Sequence, residues 1–85
     1  MKKESMVIAL KGGLEARPIA ELVQVASKYD SRIYIELDNK RVNAKSIMGM
    51  MSLELDTGDE MTVSADGADE EAAVEEIRSF VTSTR

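Results

Sequence analysis

Histidine and cysteine are both missing from these 85 residues, and so is tryptophan. Without cysteine there is no disulfide and no thiol nucleophile, and the redox compartment is left open. Without histidine the chain lacks the commonest general base, the commonest zinc ligand and any imidazole that could carry a phosphoryl group. Aromatic residues make up only 4% of the chain, and proline occurs once. No apolar run approaches the roughly eighteen residues of a membrane span, and no secretory signal is read at the start. Positive charge is in deficit: 11 lysines and arginines stand against 16 acids, a formal net charge of -5. That balance argues against nucleic-acid binding through phosphate contacts and makes another protein the expected partner, in the cytoplasm.

What remains is the composition of one globular domain, residues 1–85, with 44% hydrophobic and 32% charged residues. The length suits a single core. Met6, Ile8 and Leu10 alternate with Val7 and Ala9 and predict a short buried strand. After Gly12 and Gly13 the period changes, and Ile19, Leu22, Val23 and Ala26 fall at helical spacing. Pro18 suits the first turn of that helix, where a missing N–H is not needed. Asp30 and Ser31 close it. Ile33, Ile35 and Leu37 alternate with Arg32, Tyr34 and Glu36, a strand with one wet face. The Asp38-Asn39 turn predicts an antiparallel return over Lys40 to Asn43. Ser46 precedes a brief helix through Ile47, Met50, Met51 and Leu53, with Gly49 inside it. Thr57-Gly58 ends that segment, and Met61, Val63 and Ala65 predict a fourth strand. The last helix has acids from Asp69 to Glu71 in its first turn. Its apolar stripe is Ala73, Val74, Ile77 and Val81, with Arg78 and Arg85 toward its end. The order βαββαβα with strands this short predicts an α+β fold: a four-stranded antiparallel sheet with three helices on one face, an open-faced β-sandwich.

Three features could carry chemistry. The stretch Gly13-Leu14-Glu15-Ala16-Arg17-Pro18 reads as a plain strand-to-helix connection. It also reads as an anion cradle, in which unpaired N–H groups at Ala16 and Arg17 and the Arg17 guanidinium would receive a phosphate or carboxylate. It lacks the lysine and the length of a nucleotide-binding loop. Ser46 reads first as an N-cap worth about 1 kcal/mol, and more sharply as a phosphorylation site beside Lys45, with Lys40 and Arg41 in the vicinity, although the chain has many hydroxyls. The two readings are compatible. Ile47, Met48, Met50 and Met51 crowd a two-turn helix. Met50 and Leu53 share one side and suit the core, while Met48 and Met51 share another and suit an adaptable protein-binding patch. The acids from Asp66 to Glu76 lack calcium-loop spacing and read as a solvated helix face, so no metal and no cofactor are expected.

Taken together, GLEARP and the later stretch NAKSIMGMMSL at residues 43–53 resemble the HPr phosphocarriers of the bacterial sugar phosphotransferase system. The resemblance spans the chain, including the DGADEE entry to the last helix. It implies the HPr open-faced β-sandwich. In an ordinary HPr the loop carries a histidine that accepts a phosphoryl group from Enzyme I; here Glu15 occupies that position. The serine motif is intact, and in Gram-positive members the serine matching Ser46 is phosphorylated by HPr kinase/phosphorylase. The product acts as corepressor for the catabolite-control repressor, a member of the lactose-repressor family.

A lost carrier site beside a kept serine is the pattern of the Crh branch, although Crh proteins usually carry glutamine where Glu15 stands. The resemblance therefore implies a non-enzymatic regulator of carbon catabolite repression. Its expected partner surface is Glu15, Arg17, Lys45, Ser46, Ile47, Met48 and Met51. Two other readings are an acyl-phosphate carrier using Glu15, and an unphosphorylated decoy that docks HPr partners.

Overall fold

The computed structural model describes residues 1–9 and 16–82. Its elements run β1 (Lys2–Val7), α1 (Ala16–Ser27), β2 (Arg32–Leu37), β3 (Lys40–Asn43), α2 (Ile47–Ser52), β4 (Glu60–Asp66) and α3 (Glu70–Val81). The expectations placed on Leu10, Gly12, Gly13, Leu14, Glu15 and Arg85 lie outside the described residues.

Period-2 patterning builds the sheet. Its order is β1-β4-β2-β3, with every neighbouring pair antiparallel. Val63 stands opposite Glu4 on one side and Ile35 on the other. Alternation then sends Met61, Val63, Ala65, Ile33 and Ile35 to one face, where all are buried. The helices close over that face. They contribute Ile19, Leu22 and Ala26 from α1, Met50 from α2, and Ala73, Val74, Ile77 and Val81 from α3. Each large side chain among them stabilises the fold by about 1.5–3 kcal/mol relative to exposure. The other face, with Arg32, Tyr34, Glu36, Thr62 and Ser64, has no helix over it among the described residues. This is the open-faced α+β sandwich the sequence predicts.

The first strand differs from its expected span. It is Lys2–Val7 rather than the stretch from Met6 to Leu10. Lys2 and Glu4 occupy helix-facing positions, so charge hides the apolar period. Those charges are matched: Lys2 Nζ lies 3.6 Å from Glu4 Oε2, and Glu4 also pairs with Arg78 of α3. Ile8 is buried as expected but lies past the ladder, where its N–H donates to the Asp59 carbonyl at 2.9 Å.

A polar junction fixes the end of α1 against α3. Asp69 precedes α3 without capping it through its side chain. Its carboxylate instead accepts from Asp30 N at 2.8 Å, from Ser31 N at 3.0 Å and from the Ser31 hydroxyl. Glu76 accepts from Lys28 and from the Tyr29 hydroxyl. Ser31 is fully buried, and Gly67 packs so tightly on it that an added Cβ would sit 2.6 Å from its Oγ and 2.8 Å from its Cα.

Two outcomes follow from this junction. Gly67→Ala should lower stability by about 1–3 kcal/mol in urea unfolding, because the clash involves backbone. The Ser31 hydroxyl and then the Asp30 amide hold the Asp69 carboxyl below its usual range, and Lys28 and then Tyr29 do the same for Glu76. Folded-state values that are depressed give stability present above the ordinary carboxylate range and lost as pH falls through the folded values. Thermal melts should therefore fall on acidification. Asp69→Asn should be less stable at neutral pH and flatter toward acid; a parallel acid limb would contradict the assignment.

Candidate functional site

The segment from Asn43 to Ser46 gives each residue a separate task. Asn43 ends β3, and its side-chain oxygen accepts from Lys45 N at 2.8 Å, an Asx turn that redirects the chain. Its carbonyl accepts from Ser46 N at 3.0 Å. Ala44 is buried in the core, so the turn is anchored from beneath. Ser46 then caps α2: with an extended backbone, its Oγ accepts from Gly49 N at 3.2 Å. A six-residue helix has little propensity of its own, and the cap satisfies one of its orphan donors. Gly49, unfavourable by propensity, is explained by packing. A Cβ there would lie 3.3 Å from the Val42 Cβ and 3.4 Å from Ser46 Oγ.

The helix divides its apolar side chains by facing. Met50 is fully buried, and Leu53 just beyond the helix is buried with it. Ile47, Met48 and Met51 are 44%, 81% and 50% exposed. Half-buried Ser46 therefore stands at the start of a short helix whose outer side is almost entirely apolar.

The basic residues expected around Ser46 are arranged differently. Lys45 is directed away: its Nζ donates to the Tyr29 carbonyl at 2.6 Å, just past the C-terminal end of α1. A cation there complements the negative end of the helix. Arg17 lies in the first turn of α1 and pairs along the helix with Glu21 at 3.6 Å. Twelve residues at 1.5 Å rise separate the helix ends by about 18 Å, so Arg17 and the Lys45 ammonium do not converge on one anion. Arg41 is on the open face, its guanidinium carbon 4.1 Å above the Tyr34 ring centroid. Strand alternation puts it across the sheet from α2, which corrects its expected place near Ser46. Ala16 begins the backbone of α1; Glu15 precedes the described segment. Helices α1 and α2 pack on each other, so Arg17 and Ser46 belong to one helical layer.

Among the described residues no group of carboxylates could hold a metal ion. No described helix is long and apolar enough to cross a membrane.

Residues 2–83 match the family model described as the PTS HPr component phosphorylation site. The chain is 47% identical over 81 residues to the HPr-like protein Crh of Bacillus subtilis, covering 95% of both chains. It is 46% identical over 81 residues to Crh of Halalkalibacterium halodurans, covering 95% of this chain and 96% of that one. Among solved structures, HPr-C-His from Thermoanaerobacter tengcongensis superposes with a TM-score of 0.93 at 49% identity, covering 99% of this chain and 94% of the other. Selenomethionyl Crh of Bacillus subtilis, a dimer with a swapped domain, superposes with a TM-score of 0.78 at 45% identity, covering 99% and 97%.

Removing the capping oxygen should be measurable without any partner. Ser46→Ala should lower stability by about 1 kcal/mol in denaturant unfolding. Met48→Asp, at an exposed position, should stay within about 0.5 kcal/mol of the parent. A larger loss for Met48→Asp would mean that this side chain packs rather than projects.

Proposed function

The chain belongs to the HPr family of the phosphotransferase system, and on that premise we propose that it is a regulatory member of the Crh kind, switched by phosphorylation of Ser46. Identity alone does not separate the branches, since the HPr and Crh relatives resemble the chain to a similar degree. The missing histidine separates them. A family member with no imidazole anywhere has no group for the phosphohistidine step. HPr kinase/phosphorylase is the proposed modifying enzyme, and the lactose-repressor-type catabolite-control repressor is the proposed target, both met in the cytoplasm.

The observation that carries this reading is the pairing on α2 of a capping serine with three exposed apolar side chains. Phosphorylation adds roughly -1.5 to -2 charges at the end of the helix that carries partial positive charge, so the fold tolerates it. Ile47, Met48 and Met51 supply apolar area worth about 25 cal/mol per Å² removed from water, before the costs of association. The phosphate supplies charge-assisted hydrogen bonds to a basic group of the repressor. Arg17, exposed and paired with Glu21 at the surface, can exchange Glu21 for an acidic partner group. Lys45 contributes by anchoring the Ser46 segment on α1. Glu15, at the position of the family histidine, places a fixed negative charge where a carrier would have a transient one.

Incubation with ATP and the kinase, followed by intact mass and site mapping, should find one phosphate on Ser46, and Ser46→Ala should abolish it. Enzyme I and phosphoenolpyruvate should leave no label, whereas Glu15→His should restore partial acceptance. In calorimetry on the phosphorylated protein, Met48→Asp should abolish repressor binding, because it places an unpaired charge in an apolar contact. Arg17→Ala should weaken binding and flatten its salt dependence. Unchanged affinity for a folded, phosphorylated Met48→Asp variant would remove Met48 from the interface.

A further inference from the structure

The uncovered face of the sheet holds a basin of about 200 Å³ lined chiefly by Met1, Arg32, Tyr34, Arg41, Ser64 and Asp66. Strand register assembles it. Ser64 of β4 stands opposite Tyr34 of β2, Asp66 stands opposite Arg32, and Arg41 reaches in from β3. Three strands thus deliver side chains to one spot.

The polar groups there are incompletely used. Ser64 is only 5% exposed. Its hydroxyl has no hydrogen bond among the described residues and is not sealed from solvent, so it opens into the basin. A hydroxyl nearly enclosed by protein yet open to the basin is placed to donate to a bound group. The Arg32 side chain makes no ion pair or hydrogen bond among the described residues. Arg41 lies over Tyr34 with its guanidinium carbon 4.1 Å from the ring centroid, and its Nε is 3.6 Å from Glu36 Oε1. A guanidinium that rests on a ring and against a carboxylate has less rotamer freedom left to lose, which favours binding of an anion.

Charge points the same way. The lining brings together two guanidinium groups and the terminal amine against one carboxylate, Asp66. That carboxylate is already near the amine, at 3.9 Å, and the amine also lies 3.3 Å from Glu70. Glu36 offsets Arg41 in turn, which leaves Arg32 as the guanidinium with no ion pair among the described residues, a point of unmatched positive charge in a chain of formal charge -5. The volume is below the roughly 300–1,000 Å³ typical of drug-sized ligands. Donors from three directions, two planar forks and a hydroxyl, suit a tetrahedral anion with three free oxygens better than a two-oxygen carboxylate.

We propose that this basin binds the phosphoryl group of a small phosphate monoester, with Arg32, Arg41 and Ser64 as its donors. The site lies across the sheet from Ser46 and does not depend on the phosphorylation proposed there.

The test is a titration of the isotope-labelled, unphosphorylated full chain, followed by amide chemical shifts at constant ionic strength. Separate arms use inorganic phosphate, glycerol 3-phosphate and acetate. The expected result is one saturable isotherm for the amides of Arg32, Tyr34, Arg41 and Ser64 with glycerol 3-phosphate, and weaker binding of acetate. Tighter binding of the ester than of inorganic phosphate would support a metabolite as the ligand. Arg32→Gln should weaken the ester about tenfold or more, the worth of a charge-assisted hydrogen bond. Ser64→Ala serves as a second variant with no charge change and should also weaken it. Shifts that never saturate, or that spread equally to Arg17 and Lys28, would overturn the proposal. So would unchanged affinity in both variants. An acidic peptide that moves these amides where phosphate does not would make this a protein-docking face instead and equally overturn it.

Discussion

Everything in this fold leans on the double-sided pairing of β4. It is the last strand in the chain, yet it lies between β1 and β2 and hydrogen-bonds both. Its inward side chains Met61, Val63 and Ala65 are fully buried, and all three helices close over the face it shares. β1 has no other strand partner among the described residues, so the first strand cannot join the sheet until almost the whole chain is available. Pairings this distant in sequence carry a large loop-closure cost and make folding slower than the short helices alone would suggest.

Around that sheet, the junction after α1 acts as a hub. Within four residues, Lys28 and the Tyr29 hydroxyl reach Glu76, the Tyr29 carbonyl receives Lys45, and Asp30 and Ser31 bind Asp69. α3 and the β3–α2 connection are therefore tied to the same short stretch. Ser46 sits one residue beyond the clamp at Lys45. Its backbone is held by the Asn43 carbonyl and the Lys45 clamp, and among the described residues its hydroxyl makes the capping bond at 3.2 Å. Such a residue can change chemically without the surrounding framework changing.

The sheet separates two surfaces of different character. On the helical side, α2 presents an apolar strip beside Ser46, the residue proposed to gain charge by phosphorylation. On the open side the charges are permanent and cross-linked, with Lys3 and Arg41 both pairing with Glu36 at 3.7 and 3.6 Å, and Ser5 and Thr62 sharing a hydroxyl contact of 3.0 Å. An apolar strip with a switchable charge suits regulated binding to another protein. Fixed cationic forks over a pleated floor suit a small anion. The two can operate independently because a layer of packed side chains lies between them.

The element order and the core were legible in the sequence, because burial imposes its period directly on residues such as Ile33, Ile35, Val63, Val74 and Ile77. The same holds for Ser46 as a cap and for Met50 inward against Met48 outward, since both depend only on helical spacing. That Glu15 stands at the family's histidine position is an implication of the resemblance to HPr and not of local chemistry; the sequence by itself shows only that the chain has no histidine. The sequence misled where a charged residue faces inward: Lys2 and Glu4 occupy helix-side positions only because α3 supplies Arg78, a partner far along the chain. It was also silent on where long cations point. Lys45 is adjacent to Ser46 in sequence, yet its ammonium belongs to Tyr29; Arg41 was expected near Ser46 and lies across the sheet. The order β1-β4-β2-β3 brought Arg32, Arg41 and Ser64 to one basin, and nothing local encodes that meeting. Periodicity reports which side of an element meets the core, but the neighbour a flexible polar side chain finds is set by strand order and helix packing, which only the folded chain decides.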